Sequence, residues 1–503
     1  MWFAYENFRK ITTLDAVLGL TLQIRRCVKP ACECDHRPYR PESEGRLALP
    51  HHEFGLDVMA WIGAQRYQAC CSLPEIQRDL QAQGVVIACR TVDHLLARYD
   101  ELVSVALEAP VRRAALRQQG RLILALDGLQ PDKGHEVLWV IREVLSAEIL
   151  LARSLRVSGR EELIGLLREA LVGLEGIPIQ GVISDGQHAV RQAVATLLPG
   201  VPHQVCQCHY LREAGRPIWE ADRHAQTALR QRVRGVRVIE RQVEDRTDPE
   251  AEVIRGYGAA VRGALSETGH PPLAAGGLQL QQRLTLIEAS LKRRASKGGD
   301  SPPLNRLQQC VHRGLEATAP LWPELVVAHG WLDEAAQILA NPDGADSATV
   351  QARYAILLAD IQEEATPTPD LQRMAAEFAK GTARYGTQVF PCYEVAGLPR
   401  THNELEQLFG GVRHPLRRAT GQKKVPASVV VCGATRLPAA VASRTHRFTA
   451  AELVPPNLER WRAKRTLLKQ RRLPRILGRR FRQNPEAYLQ KLEERLVKLS
   501  LPP

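Results

Sequence analysis

Residues 121–128 read RLILALDG and residues 177–186 read IPIQGVISDG. Each is an apolar run that stops on an aspartate, Asp127 in the first and Asp185 in the second. Short apolar runs of this kind predict buried strands. A carboxylate at the end of a buried strand is costly to desolvate unless something positive meets it. Two of them therefore point to a divalent-cation site and to nucleic-acid chemistry. A third carboxylate, Glu406, stands far downstream in THNELEQLFGG.

Working outward, HEVLWVIREV (135–144) and AEILLARSLRV (147–157) predict two further strands, and GREELIGLLREALVGL (159–174) an amphipathic helix. After the second aspartate come a helix, QHAVRQAVATLL (187–198), and another strand, HQVCQCHYL (203–211). Three strands, a helix, a strand, a helix and a strand, with Asp on the first and fourth strands, form the order of a ribonuclease H-like core. That order places the two aspartates side by side at one sheet edge. The expected fold class is α/β, with such a core interrupted by a large α-helical insertion. The long charged stretch between Tyr210 and Pro399, broken at GHPPLAAGG, KGGDSPP and ANPDGAD, is too long to be a loop and supplies that insertion.

Upstream, Ser72-Leu-Pro-Glu75 has the layout of a capping box opening a helix through Gln83. Gly84 breaks it, and RTVDHLLARYDEL resumes with Val92, Leu95, Leu96 and Tyr99 on one face. This is a helix-turn-helix pattern, with GLDVMAWIGAQR as a third helix. Arg90, Thr91, His94 and Arg98 are expected to face away from the apolar stripe, towards a DNA major groove. An ordinary helical hairpin is the alternative. Nearer the N-terminus, Cys27, Cys32, Cys34 and His36 crowd into a Pro-rich stretch, a set of ligands able to close a zinc site, with His51 or His52 as substitutes. Inert thiols in a loop are the alternative there.

The chain of 503 residues is 44% hydrophobic, enough for several packed domains, and carries a formal charge of +13, which favours a polyanionic partner. From Arg460 to Arg482 eleven basic residues occur with no acidic one between them. With only Trp461 and Phe481 as aromatics, the segment suits neutralisation of phosphates better than base reading. Arg413, Arg417, Arg418, Lys423 and Lys424, and Arg471 and Arg472 in the tail, are the other expected DNA contacts. Eleven scattered cysteines argue against a disulfide framework. The start, MWFAYENFRK, lacks the layout of a secretory signal, and no apolar run reaches the length of a membrane span. A cytoplasmic protein is expected, associated with the nucleoid when on DNA.

Taken with CQCHYLREA after the second aspartate and THNELE around the glutamate, the chain resembles the DDE transposases, in particular bacterial insertion-sequence and Mutator-like types. Those families carry a Cys-x-x-His after the second Asp, matched by Cys206 and His209. Their third carboxylate sits in Thr-Asn-Asn-x-x-Glu, matched by Thr401, Asn403 and Glu406, while His402 departs at the middle Asn. The resemblance implies that Asp127, Asp185 and Glu406 bind two Mg²⁺ (or Mn²⁺) ions for strand cleavage and transfer on the double-stranded ends of a mobile element. It also implies a homodimer or higher oligomer on DNA.

Glu404 and Glu406 flank the stripe Leu405, Leu408, Val412 and Leu416, so phasing does not choose between them. Thr401-x-x-Glu404 has the layout of a capping box, which gives Glu404 a structural task and leaves Glu406 for metal. Cys206 and His209, with only Cys208 close by, are read as orienting the strand by hydrogen bonds rather than as a metal pair. Trp322 and Trp331 are read as core, with stacking on a flipped base as the alternative.

The expected division is 1–52, the Cys/His segment; 53–115, the helix-turn-helix; 116–222, the first part of the core; 223–398, the insertion; 399–430, the Glu406 helix; and 431–503, a basic tail. Two other functions fit part of the pattern. A ribonuclease H-like nuclease without strand transfer of the proofreading type resembles this chain less, because those enzymes have Asp-x-Glu where this chain has Asp127-Gly-Leu. A transposase-derived DNA-binding regulator is disfavoured by the intact carboxylates.

Overall fold

The computed structural model describes residues 2–500 except 30–31, 33–35, 108–109, 131–135, 299 and 422–426, and leaves undescribed the side chains of 110–112, 412–416, 419, 427–429 and 500. The chain opens with a hairpin, β1 (Trp2–Thr12) and β2 (Val17–Arg26), joined by a turn in which the Thr13 hydroxyl donates to the Ala16 carbonyl at 2.8 Å. Short elements β3 (Pro38–Tyr39) and α1 (Glu42–Leu47) follow, then α2 (Leu56–Tyr67), α3 (Leu73–Ala82), α4 (Cys89–Ala106) and α5 (Pro110–Gln119). Next come β4 (Leu122–Leu129), β5 (Val137–Glu143), β6 (Ile149–Leu155), α6 (Arg160–Leu171), β7 (Ile179–Ser184), α7 (His188–Leu197) and β8 (His203–Val205).

The helical region runs through α8 (Gln207–Ala214), α9 (Arg216–Arg232), α10 (Val236–Arg241), α11 (Pro249–Leu265), α12 (Gly276–Ser296), α13 (Pro302–Thr318), α14 (Trp322–Ala340), α15 (Ser347–Glu364) and α16 (Pro369–Tyr385). The chain closes with α17 (Asn403–Thr420), α18 (Ala427–Thr445), α19 (Leu458–Gln483) and α20 (Pro485–Ser500). No helix among the described residues is long and apolar enough to cross a membrane.

The fold is mixed α/β. Its main sheet has the order β6-β5-β4-β7-β8, with β4, β5 and β6 paired antiparallel and β7 and β8 parallel. β4 is buried from Leu122 to Leu126, and the pattern opens at Asp127, where the apolar run stops. Two corrections apply here. Residues 2–26 form a hairpin that the sequence pattern did not announce. The run HQVCQCHYL is a strand only to Val205, after which Cys206 caps α8.

The chain divides into two compact units, residues 1–180, 189–201 and 403–503 in one and residues 181–188 and 202–402 in the other. In the first, α2, α3 and α4 share a core with α18 and α19 that contains Leu95, Tyr99, Ala439 and Trp461. The stretch read as a basic tail is thus partly a structural layer: α19 buries Trp461 and Leu468, and the Trp461 indole donates to Glu101 Oε2 at 3.2 Å. In the second unit, one core joins α8 to α14, α15 and α16 through Tyr210, Trp331, Tyr354 and Phe378, and another joins α9 to α11, α12 and α13. Trp322 and Trp331 are 5% and 3% exposed and belong to these cores.

Candidate functional site

The expected helix-turn-helix contains the predicted cap: Ser72 accepts from Glu75 N–H and Glu75 closes back on Ser72 N–H, satisfying two of the unpaired donors of α3. On α4, Arg90 and His94 are exposed and Thr91 is half-buried. Arg98 is a correction. It is 8% exposed and pairs with Glu101 at 2.7 Å, because α18 and α19 cover the second half of α4. The same cover buries Asp100, which accepts from Tyr67 at 2.5 Å and from Arg436 at 3.1 Å. Burial pushes Glu101 up to about 7, against the pull of Arg98.

Of the expected zinc ligands, Cys34 lies outside the described residues, so the four-ligand set is not placed; the His36 N–H donates to the Cys27 carbonyl at 3.1 Å, folding the loop back on itself. Lys423 and Lys424 also fall outside the described residues, as does the side chain of Arg413. Arg417 and Arg418 are exposed on α17. Arg471 and Arg472 are half-buried rather than turned outward, and Arg472 donates to Cys432 Sγ at 3.0 Å. The exposed basic residues of α19 include Arg460, Arg462, Lys469, Arg479, Arg480 and Arg482.

In the first unit, Asp127 is half-buried on β4 and its Oδ1 accepts from Gly128 N–H at 2.7 Å. Helix α17 packs against β4 and presents Glu406 exposed while Leu405 and Phe409 are buried. The expected capping box at Thr401 is corrected: α17 opens at Asn403, one residue too late for Thr401 to cap it. Glu404 instead accepts from Arg142 of β5 at 2.8 Å. Its structural task is an ion pair, and Glu406 remains distinct from it.

In the second unit, Asp185 follows the last residue of β7 and is half-buried. Both of its oxygens are held by Gln187, the backbone N–H at 3.1 Å and the side-chain amide at 2.7 Å. Gly186 turns the chain away with φ +82, and a Cβ there would meet Tyr385 at 2.8 Å and Val205 at 2.9 Å. Only glycine accommodates both demands.

Beside this turn lies a constellation that no local stretch of sequence assembles. The Cys206 N–H donates to the Ser184 carbonyl at 2.8 Å, one residue before Asp185. Cys206 Sγ, a His209 ring nitrogen and a His402 ring nitrogen all lie within 4.8 Å of one another. Burial alone would push the Cys206 thiol up, but hydrogen bonds with His209 and His402 outweigh it and bring it down to about 6. His209 is raised by the same bond with Cys206. The departure of His402 from the Asn of the motif was the one available signal. Among the described residues this is the set of three that meets within ligand reach.

No family model and no curated protein matches the chain. Among solved structures it is similar to one described as the Drosophila P element transposase strand transfer complex, at 12% identity and a TM-score of 0.34, over 78% of this chain and 93% of that one.

Proposed function

We propose that the chain is a DDE-type transposase with a ribonuclease H-like core, cleaving and joining DNA strands at the ends of a mobile element. The observation that carries this reading is the order of elements along the chain, β4-β5-β6-α6-β7-α7-β8, with Asp127 on the first of these strands and Asp185 directly after the fourth. Glu406 on a helix packed against β4 supports it. So does the Cys-x-x-His spacing after the second aspartate.

The residues fit a hard divalent cation. Asp127 and Asp185 are half-buried and Glu406 is exposed, so water and phosphate can reach them. Asp127, Asp185 and Glu406 would hold Mg²⁺, which when bound supplies activation of water or a 3′-hydroxyl and neutralises charge on the phosphodiester. Arg142 keeps Glu404 occupied and so separates the two acidic residues at the start of α17. Arg417 and Arg418, further along the same helix, offer positive charge to a DNA backbone, as do Arg90, His94 and the exposed basic residues of α19. Assembly on DNA as a dimer or higher oligomer belongs to the same proposal.

The test is cleavage of duplex DNA carrying the element end, with Mg²⁺, by the full chain and by Asp127→Asn, Asp185→Asn and Glu406→Gln. Loss of cleavage in all three with end binding retained supports the reading. Normal cleavage by Glu406→Gln moves the third ligand elsewhere. Cleavage without joining of the 3′ end to a target duplex replaces the transposase by a nuclease.

A further inference from the structure

Cys206 is the residue that caps α8, and His209 is the third residue of that helix, so the three-residue spacing sets both side chains on one side of its first turn. His402 reaches them from the far end of the helical region. Its segment is pinned where the Gln207 N–H donates to the Arg400 carbonyl at 3.0 Å, and Arg400 in turn donates to the Leu339 carbonyl at 3.1 Å. A buried amide network braces the same segment, with Gln204 donating to the Val389 carbonyl at 2.9 Å and Gln207 to the Tyr393 hydroxyl at 2.8 Å. Cys206 and His402 are 1% and 2% exposed. The two imidazole rings lie parallel, with centroids 4.9 Å apart and planes inclined by 6°.

We propose that Cys206, His209 and His402 hold a zinc ion, with the fourth tetrahedral position taken by water. Three donors whose ligand atoms lie within 4.8 Å of one another need only small rotations to reach the ~2.0–2.3 Å bonds of zinc. One sulfur and two imidazole nitrogens form a borderline-soft set, suited to zinc and unsuited to Mg²⁺. A zinc ion balances the thiolate while leaving both imidazoles neutral. A Cys/His nucleophile is excluded by access, since the sulfur is closed off from solvent.

The site ties together three points of the second unit: the end of β7 through the Cys206–Ser184 backbone bond, the start of α8, and the segment that leads to Asn403. A role in positioning Asp185 rests on the proposed function; the presence of the metal does not. The two fail separately, because metal content is read without any cleavage assay.

The experiment uses the full chain, expressed with zinc in the medium and dialysed against a mild chelator. Zinc per chain is measured by mass spectrometry in the parent, in Cys206→Ser and in His402→Asn. Each variant is expected to hold about one equivalent fewer than the parent, whatever the N-terminal cysteines retain. Equal zinc in parent and variants overturns the proposal. Should the variants misfold, the stripped parent is titrated with Co²⁺ and read by absorption before and after Cys27, Cys32 and Cys34 are changed to Ser. Tetrahedral cobalt bands with thiolate charge transfer that survive those changes support the interior site, and their absence overturns it.

Discussion

Asp127, Asp185 and Glu406 differ from Cys206, His209 and His402 in more than donor chemistry. The carboxylates are half-buried or exposed, whereas Cys206 and His402 are sealed from solvent. An open oxygen ligand can meet a phosphate; a closed sulfur or nitrogen ligand can only hold the protein to itself. The contrast recurs along α4, where Arg90 and His94 face solvent and Arg98, Asp100 and Glu101 are enclosed by α18 and α19. Polar residues that look equivalent in sequence divide by burial into those left open to a partner and those that organise the fold.

The largest expected effect tests the first half of that contrast. Asp185→Asn should lower Mg²⁺-dependent cleavage by about a thousandfold or more, equivalent to roughly 4 kcal/mol in the barrier, while the melting temperature stays within a degree or two. Cys206→Ser, at a residue whose backbone bonds to the end of the same strand, should lower the melting temperature. Melting and single-turnover cleavage of both variants check this, and a large melting shift in Asp185→Asn breaks the distinction.

Next in size, Trp461→Ala should cost about 3 kcal/mol, because it empties a buried site between α4 and α19 and leaves Glu101 without its indole donor. Deleting the chain after Pro456 should therefore unfold the bundle rather than merely weaken DNA binding. Urea unfolding followed by tryptophan fluorescence and circular dichroism measures the cost. A cooperative, native-like truncated protein would return α19 to the status of a tail.

Gly186→Ala should destabilise the second unit by about 2–3 kcal/mol, from the left-handed backbone and the close approach of Tyr385 and Val205. It should also impair cleavage, since it moves the turn that carries Asp185. Wild-type cleavage in a destabilised Gly186→Ala would show that Asp185 tolerates displacement and is not held to a metal.

Glu101 sharpens the second half of the contrast through pH. Its folded pKa, about 7, lies above the ordinary 4.5, so its contribution is fully present below pH 4.5 and is lost as pH rises through 7. Glu101→Gln should leave stability at pH 4.5 nearly unchanged and raise it at pH 8.5 by on the order of 2 kcal/mol relative to the parent. Denaturant midpoints at the two pH values read this directly. Parallel pH profiles for the two proteins would mean that Arg98 and Trp461 fully compensate the buried charge.

The smallest effects belong to exposed charges. Changing Arg462, Lys469, Arg479, Arg480 and Arg482 to Gln should leave stability within about 0.5 kcal/mol but reduce the slope of log affinity against log salt by about 0.9 for each phosphate no longer neutralised. An unchanged slope removes α19 from the DNA interface. Glu404→Gln, which breaks the ion pair with Arg142, should cost under about 1 kcal/mol and leave cleavage intact, unlike Glu406→Gln.

Local pattern determined much of this molecule. The apolar runs ending at Asp127 and Asp185, the strand and helix order around them, the capping box at Ser72 and the long helical stretch are all written in short-range periodicity, which backbone geometry converts directly into elements. Periodicity says which face of an element is apolar, and nothing about what will later cover the polar face. Tertiary structure decided that α18 and α19 enclose Arg98, Asp100 and Glu101, and that Glu404 meets Arg142 rather than capping its own helix. It also decided that His402, nearly two hundred positions along the sequence from Cys206, comes to lie against it and His209. Those outcomes depend on contacts between residues far apart in the chain, where burial and the pairing of buried polar groups, rather than local propensity, set the energy.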